Sequence, residues 1–198
     1  MKYMSKYRIV LVAVLLFCSC HKSSEIRKEF NCENSTFNNL ETVDDMKGLF
    51  SIDLPKNWKI NLYQDEVQSS IFAADTTKQL TETVLLDVTF IQNKINFDDA
   101  FLLKQEQEYL SENLIKIKSK AITFQEKSAL YMVFKGKKGV FEYQICNTFI
   151  KVNASNFIFV KTEVYGDSLV HKRFCDAFLL LENIKLKNEA YIQNQKND

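Results

Sequence analysis

The chain has 198 residues, with 26 Lys and Arg against 25 Asp and Glu, and a formal charge of +1 at pH 7. Mixed signs in near balance exclude the basic stripe that nucleic acid requires and the polybasic patch of a lipid-binding surface. One Pro and four Gly leave no glycine-rich phosphate loop, while 16 Phe within 13% aromatic residues favour a β-rich core.

Lys2, Lys6 and Arg8 precede an unbroken apolar run from Ile9 to Phe17, followed by Cys18, Ser19 and Cys20. A bilayer span takes ~20 apolar residues, so this order is that of a secretory signal. The ending Leu15-Leu16-Phe17-Cys18-Ser19-Cys20 resembles the bacterial lipobox, in which the cysteine after a small residue is lipidated and becomes the mature N-terminus. Cys20 fits that role better than Cys18, which would put bulky Phe17 at the cleavage position. The resemblance implies removal of residues 1–19, a lipid on Cys20 and a place in the cell envelope, on the periplasmic or outer-membrane side. The removed part holds three basic and no acidic residues, so the remaining 179 carry 23 basic against 25 acidic, a net of −2. That length suits one domain.

Residues 20–45 are polar, lack periodicity and read as a flexible tether reaching roughly 25–30 Å. The domain is expected over 46–187, with 188–198 as a polar tail. Leu49 to Leu54 alternates, stops at Pro55-Lys56-Asn57 and resumes at Trp58 to Leu62; Val67 to Ala74 and Thr83 to Ile91 are further strands. The period then changes. Asn96 is a candidate cap, Asp98 and Asp99 suit a first turn, and a helix is predicted over 97–113. Ala100, Leu103, Leu110 and Leu114 would form its inner face, with Gln107 on the same stripe. A meander follows over 115–124, 129–135, 140–152 and 157–165. Its turns fall at Lys135-Gly136-Lys137-Lys138-Gly139 and Asn153-Ala154-Ser155-Asn156. Phe141, Tyr143, Ile145 and Phe149 share one face of their strand, which predicts an antiparallel sheet packed on one side. Gly166-Asp167-Ser168 supplies a turn and cap for a helix carrying Val170, Phe174, Ala177, Phe178 and Leu181, and Ile184 to Leu186 can return as an edge strand.

The stretch Gly48-Leu49-Phe50-Ser51-Ile52-Asp53-Leu54-Pro55-Lys56-Asn57-Trp58-Lys59-Ile60 resembles the first strand pair of PsbP-like proteins, and the element order is similar over about residues 47–186. That resemblance implies an α+β fold, an antiparallel sheet between helical layers. The fold is shared with an extrinsic photosystem subunit, a Ran-binding import factor and periplasmic lipoproteins. It implies a binding or accessory role without enzyme activity and transfers no functional residue.

Asp167, His171 and Cys175 stand at i, i+4 and i+8, a spacing that could hold a transition metal or polarise a thiolate. A structural zinc wants four ligands and the chain has two His, so the expectation is no metal: Asp167 as a cap, His171 at the helix border. Of the cysteines beyond Cys20, namely Cys32, Cys146 and Cys175, one pair can bridge. Cys146 with Cys175 is the pairing to test, the alternative being that both are small buried hydrophobes. Asp44-Asp45, Asp98-Asp99 and Glu106/Glu108 could pair carboxylates or hold calcium, but they lack a calcium loop and read as tether, first turn and outer helix face. No G-x-S-x-G elbow accompanies His171, so a hydrolase is the weakest reading. The lysine-rich turn could bind an anion but reads as a soluble hairpin, and Trp58 reads as a core anchor rather than lining a pocket with Tyr63. Function therefore reads as a lipid-anchored accessory module that meets the membrane through its lipid and binds an envelope protein. It involves no nucleic acid and no cofactor. The alternative is a small-ligand or metal-ion module.

Overall fold

The computed structural model describes residues 24–187, so the signal, Cys20 and the polar tail lie outside the described residues. In chain order the elements are α1 (Glu25–Glu29), β1 (Leu40–Asp44), β2 (Phe50–Pro55), β3 (Lys59–Gln64), β4 (Gln68–Ala74), β5 (Leu85–Ile91) and α2 (Asp99–Ser111). There follow β6 (Leu114–Phe124), β7 (Lys127–Lys138), β8 (Phe141–Lys151), β9 (Phe157–Tyr165), α3 (Val170–Leu181) and β10 (Lys185–Leu186). A seven-stranded antiparallel sheet runs β3-β4-β5-β9-β8-β7-β6, and a second sheet runs β1-β2-β10. This is the expected α+β class, and β9 coincides with its predicted span.

The large sheet is covered on both faces, not one. From β7, Ala129, Tyr131 and Val133 point toward α3 and the small sheet, where Phe50, Ile52, Leu54, Phe174 and Phe178 meet them. Leu130, Met132 and Phe134 point the other way, under α2, with Tyr143, Ile145 and Phe149 of β8. Both parities of β7 are apolar, which a one-sided sheet would not tolerate.

The first turn of α2 is capped by Asp98, whose carboxylate accepts the Phe101 N–H at 2.9 Å; Asn96 takes no such part. The inward face also differs from the expected one. Leu103 and Leu110 are more than half exposed and Gln107 is exposed, while Phe101, Leu102 and Tyr109 turn inward. Aromatic packing decides this. The Phe101 ring meets Phe149 edge-on at 5.0 Å and Tyr109 lies 4.4 Å from Phe134, burying more area than the two leucines would. At the start of β6 the chain passes so close to β7 that a Cβ on Gly136 would sit 2.4 Å from the Asn113 carbonyl oxygen. That glycine serves close approach rather than the turn.

The expected tether is largely part of the domain. Ile26 of α1 is fully buried, and the Phe30 ring lies 4.7 Å from Phe178 and 5.6 Å from Tyr131. Strand β1 pairs with β2 from Leu40↔Pro55 to Asp44↔Ser51. Ser24 N–H donates to Glu182 at 2.8 Å, and Arg27, itself buried, pairs with the same carboxylate at 3.3 Å. These apolar residues follow neither helical nor strand period, so the segment carries no periodic signal.

The disulfide joins Cys32 to Cys175, not Cys146 to Cys175. The two Cα atoms stand 5.4 Å apart, within bridging range. Cys146 instead points from β8 into the core, fully buried, and burial pushes its thiol up to about 12. The bridge closes a loop of 143 residues and clamps the N-terminal segment on α3. Chain entropy makes such a bridge worth about 2–5 kcal/mol. Unreduced protein should show no reactive thiol at Cys32, Cys146 or Cys175 while native and one, Cys146, after denaturation. Cys32→Ser should lower the unfolding free energy by about 2–5 kcal/mol. Labelling at Cys32 or Cys175 in the denatured, unreduced chain would contradict the pairing.

Candidate binding site

Two depressions flank α3. The first is apolar. Strand β6 bulges between Lys116 and Lys118, and the freed Ile117 borders a groove of about 270 Å³. Phe30, Val133, Val170 and Phe174 form its floor and walls, with Lys118, Gln144 and His171 at the rim. The Lys118 ammonium lies 5.3 Å from the Phe30 ring and donates to the Glu29 carbonyl oxygen at 3.1 Å. Ile115 and Ile117, 60% and 51% exposed, extend the apolar surface along the sheet edge.

His171 is exposed; its Nε2 contacts the Phe30 carbonyl oxygen and lies 3.9 Å from Cys175 Sγ. The bridge occupies Cys175, so this sulfur is no thiolate ligand. Asp167 does not cap α3. The cap position is Leu169, in the left-handed region at φ 49°, which makes no side-chain cap hydrogen bond. Among the described residues no group of three or more His, Cys, Asp or Glu could hold a metal ion.

The second depression is polar. Two adjoining cavities of about 220 and 280 Å³ share Lys78, Glu82, Arg173 and Asp176 in their walls. Arg173, one residue before core Phe174, is only 4% exposed. Its Nη1 donates to the Thr83 and Tyr165 carbonyl oxygens at 3.0 and 2.8 Å, which ties α3 to β9 and to the chain entering β5. Its Nε has no hydrogen-bond partner, and burial holds the guanidinium below its ordinary range. Trp58 packs partly against the core and lines the first cavity, whereas Tyr63 is 58% exposed and elsewhere. Sequence reading missed Arg173 because it sits beside the apolar stripe of a well-formed helix.

The acidic clusters have local duties. Asp45 is buried and accepts the Leu49 and Phe50 N–H groups at 2.6 and 2.8 Å, closing a turn rather than lying in a solvated tether. Asp44 pairs with Lys187 at 2.7 Å, Glu106 binds Lys116, and the Gln105 amide donates to Glu108 at 3.3 Å. The lysine-rich segment is not the turn: Lys135 to Lys138 continue β7, paired with β8 as far as Phe141, and the turn falls at Gly139-Val140. Lys138 lies over the Tyr143 ring at 5.0 Å and 3.8 Å from Glu163. On the face of the sheet that α2 packs against, Asp87 stands opposite Lys161 of β9, which pairs with Glu163 at 2.6 Å. Burial pushes the Asp87 carboxyl above its ordinary range, against the Thr89 hydroxyl and Lys161, which lower it.

No family model matches the chain, and no curated protein matches it. Among solved structures, cyanobacterial PsbP (CyanoP) from Synechocystis sp. PCC 6803 superposes with a TM-score of 0.57 at 9% identity, over 79% of this chain and 97% of that one. A point mutant of the protein Mog1 gives 0.51 at 12% identity, over 78% and 99%. LpqN, described as involved in cell envelope biogenesis of Mycobacterium tuberculosis, gives 0.46 at 10% identity, over 76% and 93%, too low to carry an argument. At these identities the likeness is one of fold, and the chain has the PsbP-like fold.

A carboxyl raised on folding contributes stability below its unfolded pKa of about 3.9, lost as pH rises through the folded value. Asp87→Asn should therefore raise the urea midpoint at neutral pH, and the gain should shrink as the pH falls through the raised folded value and be gone below the unfolded one. A gain independent of pH would show that charge burial is not its cause.

Proposed function

We propose that the chain is a lipid-anchored accessory module of the bacterial cell envelope, acting without catalysis by binding another envelope protein. The PsbP-like fold fits a non-catalytic accessory domain. The observation that carries the proposal is the position of Ser24. It is already tied to Glu182, and it follows the lipobox Cys20 by four residues. Four residues span at most about 14 Å, so a lipid on Cys20 would hold the domain against the bilayer rather than at the end of a long tether. Such confinement raises the effective concentration toward partners in the same membrane. Among the described residues no helix is long and apolar enough to cross a membrane. The apolar groove at Ile117, with Ile115 beside it, is the surface offered for docking.

Cys20→Ser should move the chain from the membrane to the soluble fraction of its host and leave its melting midpoint unchanged. Ile117→Asp should keep the chain in the membrane but reduce the yield of its cross-linked adduct. A Cys20→Ser protein that still fractionates with membranes after a high-salt wash would overturn the anchor. An adduct insensitive to Ile117→Asp would overturn the docking face.

A further inference from the structure

We infer that the paired cavity beside Arg173 binds a small zwitterion of the α-amino acid type with an apolar side chain. This goes beyond the accessory role and does not depend on the anchor. The two chambers, about 220 and 280 Å³, together fall within the range of small-ligand sites.

The charges in their walls select the ligand. Asp176 is held by Lys172 at 2.6 Å, and Asp75 by the Thr77 hydroxyl at 2.6 Å and by Lys78 at 3.4 Å. Those two acids and two lysines are spent on each other. Arg173 and Glu82 are left over. Arg173 meets only backbone carbonyls, its third contact being a long one from Nη2 to the Gly166 oxygen at 3.5 Å. Among the described residues no carboxylate stands within ion-pair distance of it. Asp167, outside the cavity walls, acts on the guanidinium only from beyond ion-pair distance. Carbonyl dipoles ease a buried guanidinium but do not neutralise it, and buried charges are ordinarily paired. The exposed Glu82 side chain likewise has no partner among the described residues.

The wall thus presents one unspent charge of each sign. A simple anion on Arg173 would face Glu82 unpaired, and a simple cation on Glu82 would face Arg173. A ligand carrying a carboxylate and an ammonium on neighbouring atoms satisfies both. The Arg173 guanidinium takes the carboxylate. Trp58, Phe37, Pro55 and Val84, which line the first chamber and not the second, take an apolar side chain.

Calorimetric titration of the full chain in detergent micelles with L-phenylalanine, phenylacetate and phenethylamine tests the inference. L-phenylalanine should bind at least about tenfold more tightly than either single-charge analogue, each of which forfeits one charge-assisted contact. Glu82→Gln, a change at an exposed side chain, should cut L-phenylalanine affinity about tenfold while phenylacetate binds no more weakly than before. The inference fails if L-phenylalanine gives no heat, if phenylacetate matches it, or if Glu82→Gln changes nothing.

Discussion

Most of the architecture follows from one constraint: the strands at the centre of the large sheet are apolar on both faces. Tyr131 and Val133 look one way from β7, Met132 and Phe134 the other, and β8 repeats the pattern with Cys146 and Ile150 against Ile145 and Phe149. An antiparallel sheet can leave one face in water only when its alternation allows it. Here each face needs its own cover. One is met by α2 with its aromatic side chains. The other is wider than a single helix, and α3 shares it with the small sheet and the N-terminal segment. The bridge to Cys175 and the Glu182 contacts hold that last cover in place.

Helix α3 is where the parts of the molecule join. Phe174 and Phe178 pack on the sheet, Cys175 reaches the N-terminal segment, and Arg173 reaches the carbonyls of Thr83 and Tyr165. Three successive residues thus hold three different parts of the fold. The two depressions lie on either side of this helix, so its position sets both.

Local periodicity made the meander and the last helix legible: β9 and α3 lie where alternation and the i, i+4, i+7 spacing put them. The motif from Gly48 to Ile60 led to the fold, and β2 and β3 occupy it. What stayed hidden depends on distant partners. Strand β1 exists because β2 offers it an edge, and Phe30 is half-buried because Tyr131 and Phe178 form a place for it. The inner face of α2 was misread because leucine spacing alone does not show which side chains meet aromatic neighbours across the sheet. Asp167 failed as a cap because Leu169 takes the left-handed turn ahead of α3. The polar site was invisible for a related reason. An arginine beside an apolar stripe reads as a solvated flank until the fold brings carbonyls and a cavity wall to it.

The reach of the bridge has a consequence for the order of biogenesis. Made or threaded from its N-terminus, the chain presents Cys146 to Cys32 before Cys175 has emerged. The early encounter is therefore with the wrong sulfur. In the folded chain the sheet excludes that pairing, because β8, zipped between β7 and β9, holds Cys146 in the core. Among the described cysteines, the closed sheet therefore leaves one pair free to join, whereas an oxidant acting on the open chain has two sulfurs to offer Cys32.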